Sequence, residues 1–228
     1  MIPRRVVLFD LDDTLYDRRQ FLSGAFADVA ADVARETGRD VGPLMDSLRV
    51  SWEERGSDAP DLFDGWLRRN GSFARDRVLR SVRTYHAYRP ARLDPYDGAD
   101  AMLRDLQSDH LLGLVSDGNV ATQRAKLEAL GLAHRFQAVV FSAELQRSKP
   151  DPEVFRVALE RLGASPDEAV HVGDHPLRDV AGARRAGLLA VRVMTGEFRD
   201  RADLEGEPAH QRIDRLADLV PLLRRGSV

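Results

Sequence analysis

Acidic side chains at two distant places in the chain could share a divalent cation. Asp10 and Asp12 follow the apolar run Val6–Phe9, and Asp174 follows a second apolar run at 169–172. Carboxylates held close together repel each other unless a cation or a proton lies between them. Mg²⁺ is commonly held by one or two carboxylates together with water and phosphate oxygens, so these residues predict a magnesium site. Taken alone, the first pair also fits a solvated acidic turn whose side chains cap backbone amides.

Two further side chains could bind an anion near such a cation. Ser116 follows an apolar run and could donate its hydroxyl to an anion, although it would also fit an ordinary turn before a helix. Lysine and arginine total 34, of which only Lys126 and Lys149 are lysines. Because arginine fills almost every other cationic position, Lys149 is expected to serve a specific purpose, such as neutralising phosphate or carboxylate oxygens. The following Pro150 restricts the backbone of Lys149 to extended conformations.

The hydrophobic pattern predicts that these residues lie at one edge of a parallel sheet. Apolar runs alternate with helical patterns from residue 92 onward, which is typical of an α/β domain with helices on both faces of its sheet. Ligand sites of such sheets lie beyond the carboxyl ends of the strands, where the candidate residues are found. The predicted strands are 4–9, 111–115, 138–141, 169–172 and 189–193, and the predicted helices are 120–130, 151–162, 177–186 and 213–224.

A helical insert separates the first strand from the rest of the sheet. Residues 16–91 lack strand-like runs and carry apolar residues at helical spacing, which predicts about four helices. The strand at 4–9 can be buried only in a sheet formed by later residues. We therefore expect a core domain of residues 1–15 and 92–228 and a helical domain of residues 16–91. Residues 196–213 are polar, and we expect a mobile excursion to which we assign no function.

Composition and charge exclude several classes of protein. The 228 residues are 43% hydrophobic, carry a formal net charge of −3 and include no cysteine. A thiolate metal site and disulfides are therefore excluded, and no basic surplus indicates a nucleic-acid partner. The early apolar run of four residues is too short for a membrane span or a signal sequence. We expect a cytoplasmic monomer or homodimer.

Together, the motifs resemble those of the haloacid dehalogenase-like hydrolases. The resemblance runs from residue 6 to about residue 195. It implies a Rossmann-like three-layer α/β sandwich with a central parallel sheet, plus an inserted all-α cap domain. The motifs that carry it are Asp10-Leu11-Asp12-Asp13-Thr14, Ser116, Lys149, and Gly173-Asp174 with Asp179.

The resemblance also implies a role for each site residue. Asp10 would attack phosphorus as the nucleophile, and Asp12 would act as general acid and then as general base. Lys149 would balance the charge of Asp10 and bind the transferring phosphoryl group. The resemblance also implies that magnesium is bound by Asp10, Asp174 and the main-chain carbonyl of Asp12, with Asp179 in support. Phosphate would be bound by Ser116, Asp117 and Lys149.

The implied function is Mg²⁺-dependent hydrolysis of a small phosphomonoester, such as a sugar phosphate, a phosphoglycolate-like acid or a nucleoside monophosphate. Asp12 argues against the haloacid dehalogenases, which release halide and need no proton for the leaving group. A phosphomutase and a catalytically idle binding protein of the same fold stay open as alternatives. Asp13 and His175 have no assigned role, and His171 is interpreted as a sheet residue. Insert residues that could either contact substrate or form the insert's own core are Arg18, Arg19, Trp52, Trp66, Tyr85, His86 and Tyr88.

Overall fold

The computed structural model describes residues 5–57 and 59–224, which form two compact units. The first unit contains the described residues up to Arg18 and those from Ala91 onward. The second unit extends from Arg19 to Pro90. The chain therefore leaves the first unit after Arg18, a few residues beyond the predicted border at residue 15.

A six-stranded parallel sheet forms the centre of the first unit. The strands lie in the order β3-β2-β1-β4-β5-β6, so β1 is paired with β2 on one side and with β4 on the other. Every residue of β1 is buried, which explains why its sequence is uninterruptedly apolar. In chain order the strands are β1 (Val6–Phe9), β2 (Leu111–Ser116), β3 (Ala138–Phe141), β4 (Ala169–Gly173), β5 (Leu189–Val193) and β6 (Gln211–Ile213).

The described residues of the second unit form four helices, the number that the apolar spacing predicts. These are α1 (Arg19–Thr37), α2 (Val41–Arg55), α3 (Leu62–Arg69) and α4 (Arg75–Ala87). Helix α1 packs against both α2 and α4. Phe21, Phe26 and Trp66 are among the buried residues that hold these helices together.

Helices flank the sheet of the first unit, and the α/β prediction is confirmed. They are α5 (Ala99–Leu106), α6 (Val120–Ala129), α7 (Glu153–Leu162), α8 (Gly182–Arg185) and α9 (Leu219–Arg224). Helices α7 and α8 cover the same face of the sheet. Phe155 of α7 and Ala183 of α8 accordingly share one buried cluster with the sheet residues Leu8 and Val140.

The last part of the first unit differs from the prediction. Residues 196–213 are not a loose excursion, because Phe198 is buried and Asp203 forms a buried ion pair with Arg192 of β5. This region also contains β6, which has only three residues and two polar side chains and thus gives no apolar signal. The final helix begins only at Leu219, after a 3₁₀ turn, and α5 lies outside the predicted helices.

None of the helices in the described part of the chain combines the length and the apolar character that a membrane span requires.

Candidate active site

Three carboxylates meet beyond the carboxyl ends of β1 and β4. Asp10 directly follows β1, Asp174 directly follows β4, and Asp179 lies in a π-helical turn, Pro176–Ala181, that leads into α8. One carboxylate oxygen of each residue lies within 4.8 Å of the other two, and all three side chains are buried. The chain continues from β1 to β2 and β3 on one side of the sheet, and from β4 to β5 and β6 on the other side. Parallel α/β sheets bind ligands between the two strands at which the direction changes. The structure therefore brings Asp10 and Asp174 together and adds Asp179 to the same cluster.

Lys149 reaches this cluster from the loop between β3 and α7. Its Nζ lies 2.5 Å from Oδ1 of Asp10 and 2.7 Å from Oδ1 of Asp179, and the residue is only 4% exposed. Burial alone would lower the pKa of Lys149, but Asp10 and Asp179 outweigh burial and raise that pKa. Lys149 is therefore a protonated cation in contact with two carboxylates.

The buried cluster would carry more negative than positive charge if all of its carboxylates were ionised. When ionised, Asp10, Asp174 and Asp179 contribute three negative charges against the single positive charge of Lys149. Burial raises the pKa of Asp10 to about 7 despite the opposing effect of Lys149. Burial also raises the pKa of Asp174 well above its ordinary value, and Asp179 adds to that shift.

The donor atoms of this cluster fit a hard divalent cation. All of them are carboxylate oxygens, the ligand type that Mg²⁺ prefers. Among the described residues, Oδ2 of Asp174 is buried without a hydrogen-bond partner, so this oxygen is available to a ligand. A divalent cation would also supply the positive charge that the cluster lacks.

Asp179 is held by three donors and by a glycine that leaves room for it. Besides Lys149, Nε2 of His171 lies 2.9 Å from Oδ1 of Asp179, and the main-chain N–H of His175 donates to Oδ2 at 3.0 Å. A Cβ atom at Gly173 would lie 2.3 Å from Cγ of Asp179, so only glycine permits this packing. Burial opposes ionisation of Asp179, but Lys149 and His171 outweigh it and lower its pKa.

His175 stabilises the turn that carries Asp179. Its Nδ1 accepts hydrogen bonds from the main-chain N–H groups of Leu177 at 3.1 Å and Arg178 at 3.2 Å. The imidazole ring also packs against the ring of Phe198, with 4.0 Å between the ring centroids. These contacts give His175 the structural role of a helix cap, which the sequence alone left open.

Asp12 is paired with the second lysine of the chain. Nζ of Lys126 lies 2.8 and 2.9 Å from the two carboxylate oxygens of Asp12, and Lys126 is only 2% exposed. The hydroxyl of Tyr16 donates to Oδ1 of Asp12 at 2.5 Å, and Nε2 of Gln123 donates to Oδ2 at 2.9 Å. Burial opposes ionisation, but Lys126 and Arg18 outweigh it and lower the pKa of Asp12. Asp12 is therefore a carboxylate in this arrangement.

Ser116 and Asp117 lie at the end of β2 and contact different partners. The buried hydroxyl of Ser116 accepts a hydrogen bond from Nε2 of Gln123 at 2.7 Å, so Gln123 links Ser116 to Asp12. Oδ1 of Asp117 accepts a hydrogen bond from the main-chain N–H of Lys149 at 3.1 Å. This contact gives Asp117 a part in holding the main chain of Lys149, and the phosphate contact of Asp117 stays a prediction.

The site predicted from the sequence does not include three residues that contact Asp12 in the structure, namely Lys126, Gln123 and Tyr16. For Lys126 a signal exists, since this chain uses lysine only twice and both lysines prove to be buried beside an aspartate of the 10–12 segment. Gln123 precedes Lys126 by three residues and therefore shares its helix face. Nothing in the sequence distinguishes Gln123 or Tyr16 from ordinary polar residues.

Most aromatic residues of the second unit form its own core. Trp66 is fully buried and donates to Oγ of Ser47 at 2.8 Å, while Tyr85 and Tyr88 pack edge-to-face against Phe21. Arg19 and Trp52 line a groove of about 460 Å³ between α1 and α2. His86 contacts the ring of Tyr85, and Arg18 belongs to the first unit.

The parallel sheet and the buried cluster at its edge together define an α/β protein with an acidic site at the carboxyl ends of its strands. A model of the haloacid dehalogenase-like hydrolases matches residues 4–187, and the chain belongs to that family. The chain is 35% identical to the glyceraldehyde 3-phosphate phosphatase of Methanopyrus kandleri over 226 residues, which cover 96% of this chain and 97% of that relative. It is 45% identical to the phosphoserine phosphatase of Thermus thermophilus over 228 residues, with coverage of 84% and 89%.

Among solved structures, the HAD phosphatase of Thermococcus onnurineus is similar to this chain. It is 26% identical, the TM-score is 0.68, and the match covers 96% of this chain and 97% of that structure. The chain is therefore a hydrolase of the haloacid dehalogenase-like family whose relatives include named phosphatases.

Proposed function

We propose that the protein is a Mg²⁺-dependent phosphatase that hydrolyses a small phosphomonoester through a phosphorylated Asp10. The observation that carries this proposal is the meeting of Asp10, Asp174, Asp179 and Lys149 in one buried cluster. Phosphoryl transfer depends mainly on in-line positioning and on neutralising the charge of the phosphoryl oxygens. The cluster offers a carboxylate that can attack phosphorus, with a lysine and a fitting cation site beside it.

In the first step, Asp10 would form a bond to phosphorus while the bond from phosphorus to the alcohol oxygen breaks. Lys149, 2.5 Å from Asp10, would neutralise the nucleophile and the phosphoryl oxygens together. Ser116 would donate its hydroxyl to a phosphoryl oxygen. Mg²⁺, bound by Asp10, Asp174 and the main-chain carbonyl of Asp12, would offset the negative charge of the phosphate.

Asp12 would move the protons of the two steps. It would donate a proton to the departing alcohol oxygen and later accept one from the water that attacks phosphorus and releases phosphate from Asp10. The ion pair with Lys126 stabilises the carboxylate form of Asp12 and therefore supports the second of these roles. The first role requires Asp12 to carry a proton, and the proton that Asp12 accepts from the attacking water at the end of one turnover is the one that it donates to the alcohol oxygen in the next.

The names of the relatives narrow the proposed substrate. Glyceraldehyde 3-phosphate and phosphoserine are both three-carbon compounds with phosphate on a primary oxygen, and we propose this class first. Hydrolase names among the relatives favour phosphate release over the isomerisation that a phosphomutase performs. The presence of every charged group that the reaction needs disfavours the idle binding protein.

The test is phosphate release from a panel of phosphomonoesters with Mg²⁺ and with EDTA. The panel contains phosphoserine, glyceraldehyde 3-phosphate, sugar phosphates, phosphoglycolate and nucleoside monophosphates. We expect Mg²⁺-dependent release by the wild type and by Asp105→Asn, which alters an exposed carboxylate, and loss of release in Asp10→Asn. Wild-type activity in Asp10→Asn would contradict the nucleophile assignment. No release from any compound would reject the phosphatase proposal, and isomerisation in excess of release would indicate a mutase.

A further inference from the structure

Arg192 is a fully buried arginine beside the strand that ends at Asp174. It lies on β5 and is the register partner of Gly173, the last residue of β4, in the parallel pairing of these strands. Asp174 is the next residue after Gly173. Arg192 therefore lies next to the point where the main chain leaves the sheet and enters the acidic cluster.

The guanidinium of Arg192 contacts three acceptors at once. Its Nε donates to the main-chain carbonyl of Asp174 at 3.0 Å, and one terminal nitrogen pairs with Oδ1 of Asp203 at 2.6 Å. The other terminal nitrogen donates to the main-chain carbonyl of Phe198 at 2.5 Å. A planar guanidinium presents its donors at fixed angles, so these contacts fix the Asp174 main chain relative to the segment 194–203, and the single ammonium of lysine cannot reproduce them.

The main chain matters at Asp174 because one of its carboxylate oxygens has no hydrogen bond to orient it. Oδ2 of Asp174 is buried without a hydrogen-bond partner among the described residues. The direction in which this carboxylate points therefore depends on where its backbone is held. Arg192 is a side chain that donates a hydrogen bond to that backbone.

Asp203 anchors the arginine from the other side. Its side chain is 3% exposed, and its second oxygen accepts hydrogen bonds from the main-chain N–H of Ala209 at 3.0 Å and from Arg212 at 2.7 Å. Each guanidinium nitrogen of Arg192 and each carboxylate oxygen of Asp203 thus has a hydrogen-bond partner, and a buried ion pair is tolerated when its polar atoms are satisfied in this way.

The segment 194–203 also contacts the acidic loop after β1. The hydroxyl of Thr195 donates to the main-chain carbonyl of Asp13 at 2.5 Å. Gly196 has a φ of +63°, and a Cβ atom there would lie 2.3 Å from Cβ of Asp13. The segment therefore packs against the loop of Asp10 and, through Arg192, against the loop of Asp174.

We propose that Arg192 is a positioning residue for the cation site. By binding the main-chain carbonyl of Asp174, it holds that carboxylate where it can share a divalent cation with Asp10. The inference rests on the proposed function, which makes Asp174 a metal ligand. Contacts that orient the ligands of a metal typically change its affinity by about 10- to 100-fold when they are removed.

Binding of Mg²⁺ to the full-length protein without substrate tests this inference. Arg192→Lys keeps a positive charge for Asp203 but cannot reach all three acceptors. We expect its Mg²⁺ dissociation constant, measured by isothermal titration calorimetry, to rise by about tenfold or more, with an unchanged circular dichroism spectrum. Arg212→Met is the matched control, because it removes an exposed partner of the same Asp203 carboxylate without touching Asp174. We expect it to bind Mg²⁺ like the wild type.

A second variant covers the case in which Arg192→Lys does not fold. Asp203→Asn preserves the shape of the side chain but removes the charge that anchors Arg192, and we expect weaker Mg²⁺ binding from it as well. A folded Arg192→Lys protein with wild-type Mg²⁺ affinity would overturn the inference, as would a folded Asp203→Asn protein with that affinity if the lysine variant is unfolded. Absence of Mg²⁺ binding in the wild type would instead reject the metal site of the proposed function.

Activity gives a second, distinguishable readout. The Mg²⁺ concentration for half-maximal phosphate release should rise in Arg192→Lys by the same factor as the dissociation constant. The value of kcat at saturating Mg²⁺ should stay near that of the wild type, because Arg192 does not contact the reacting groups. A loss of kcat without a change in Mg²⁺ affinity would contradict positioning of the cation site.

Discussion

Lys149→Met should lower turnover by about 10²–10³ and destabilise the first unit, because it leaves two buried carboxylates without the cation that both contact. The ammonium lies 2.5 Å from Asp10 and 2.7 Å from Asp179. Removing one partner of a buried ion pair typically costs about 3–5 kcal/mol. The pKa of Asp10 is raised to about 7 even with Lys149 present, so Asp10 can take up a proton in the variant. We therefore expect the lower end of that range, about 3 kcal/mol.

This loss of stability corresponds to a measurable change in melting temperature. For a chain of this length, 1 kcal/mol shifts Tm by about 2–4 °C, so Lys149→Met should melt roughly 6–12 °C lower. The assay is thermal unfolding followed by circular dichroism, with and without Mg²⁺. Arg147→Met is the control, because it removes a half-exposed cation that pairs with Asp151, and exposed pairs contribute at most about 1 kcal/mol.

Activity should respond differently from stability. Mg²⁺ should restore part of the melting temperature of Lys149→Met, since it supplies positive charge to the same cluster. It should not restore turnover, because Lys149 is also needed to neutralise the transferring phosphoryl group. Loss of one such preorganised group typically lowers kcat by about 10²–10³. Retention of more than about a tenth of the wild-type kcat/KM would contradict the role of Lys149 in phosphoryl transfer, and an unchanged melting temperature would contradict its stabilising role in the cluster.

Three further changes test other parts of the site. Asp12→Asn should lower kcat/KM by about 10²–10⁴ for alkyl phosphates and much less for p-nitrophenyl phosphate, whose leaving group needs little protonation; equal losses for both would contradict an acid role. Gly173→Ala should lower kcat by about tenfold or more, because a Cβ atom 2.3 Å from Cγ of Asp179 displaces that carboxylate; unchanged turnover would contradict this placement. Burial opposes ionisation of Asp203, but the hydrogen bonds to its carboxylate outweigh burial and lower the pKa of Asp203. The ion pair with Arg192 therefore stabilises the fold at pH values above the unfolded-state pKa of about 3.9, and this stabilisation is lost as the pH falls further. In urea unfolding, the free energy of unfolding of the wild type should exceed that of Asp203→Asn at pH 7, and this difference should disappear as the pH falls below about 4. A difference that does not change with pH would contradict the role of the Asp203 carboxylate.

The position of the cluster follows from the sequence because buried parallel strands have a strong signal. β1 is apolar throughout, since both faces of a central strand are covered, and an acid after such a strand lies at the ligand-binding edge. Asp174 follows the buried strand β4 and lies at the same edge for the same reason. The order of the strands, which makes β1 and β4 neighbours, depends on long-range pairing that no local pattern encodes.

The contacts around the cluster depend on side-chain packing and are therefore absent from the sequence-based account. Lys126 and Gln123 share one face of α6, but the carboxylate that they meet is 111 or more residues away in the chain. Arg192 interrupts an otherwise apolar strand, and its burial is explained by its ion pair with Asp203 together with its hydrogen bonds to the main-chain carbonyls of Asp174 and Phe198. Such polar pairs are set by tertiary structure, whereas hydrophobic periodicity reports only on local structure.

A labelling experiment tests directly whether Asp10 receives the phosphoryl group. Asp12→Asn should form the phosphorylated protein from ³²P-labelled p-nitrophenyl phosphate with Mg²⁺ but hydrolyse it slowly, because Asp12 no longer accepts a proton from water. Rapid acid quenching followed by peptide mapping should locate the label on the peptide that contains Asp10, and hydroxylamine should remove it. Release of one equivalent of p-nitrophenol without label on that peptide, or label on a different residue, would contradict phosphorylation of Asp10.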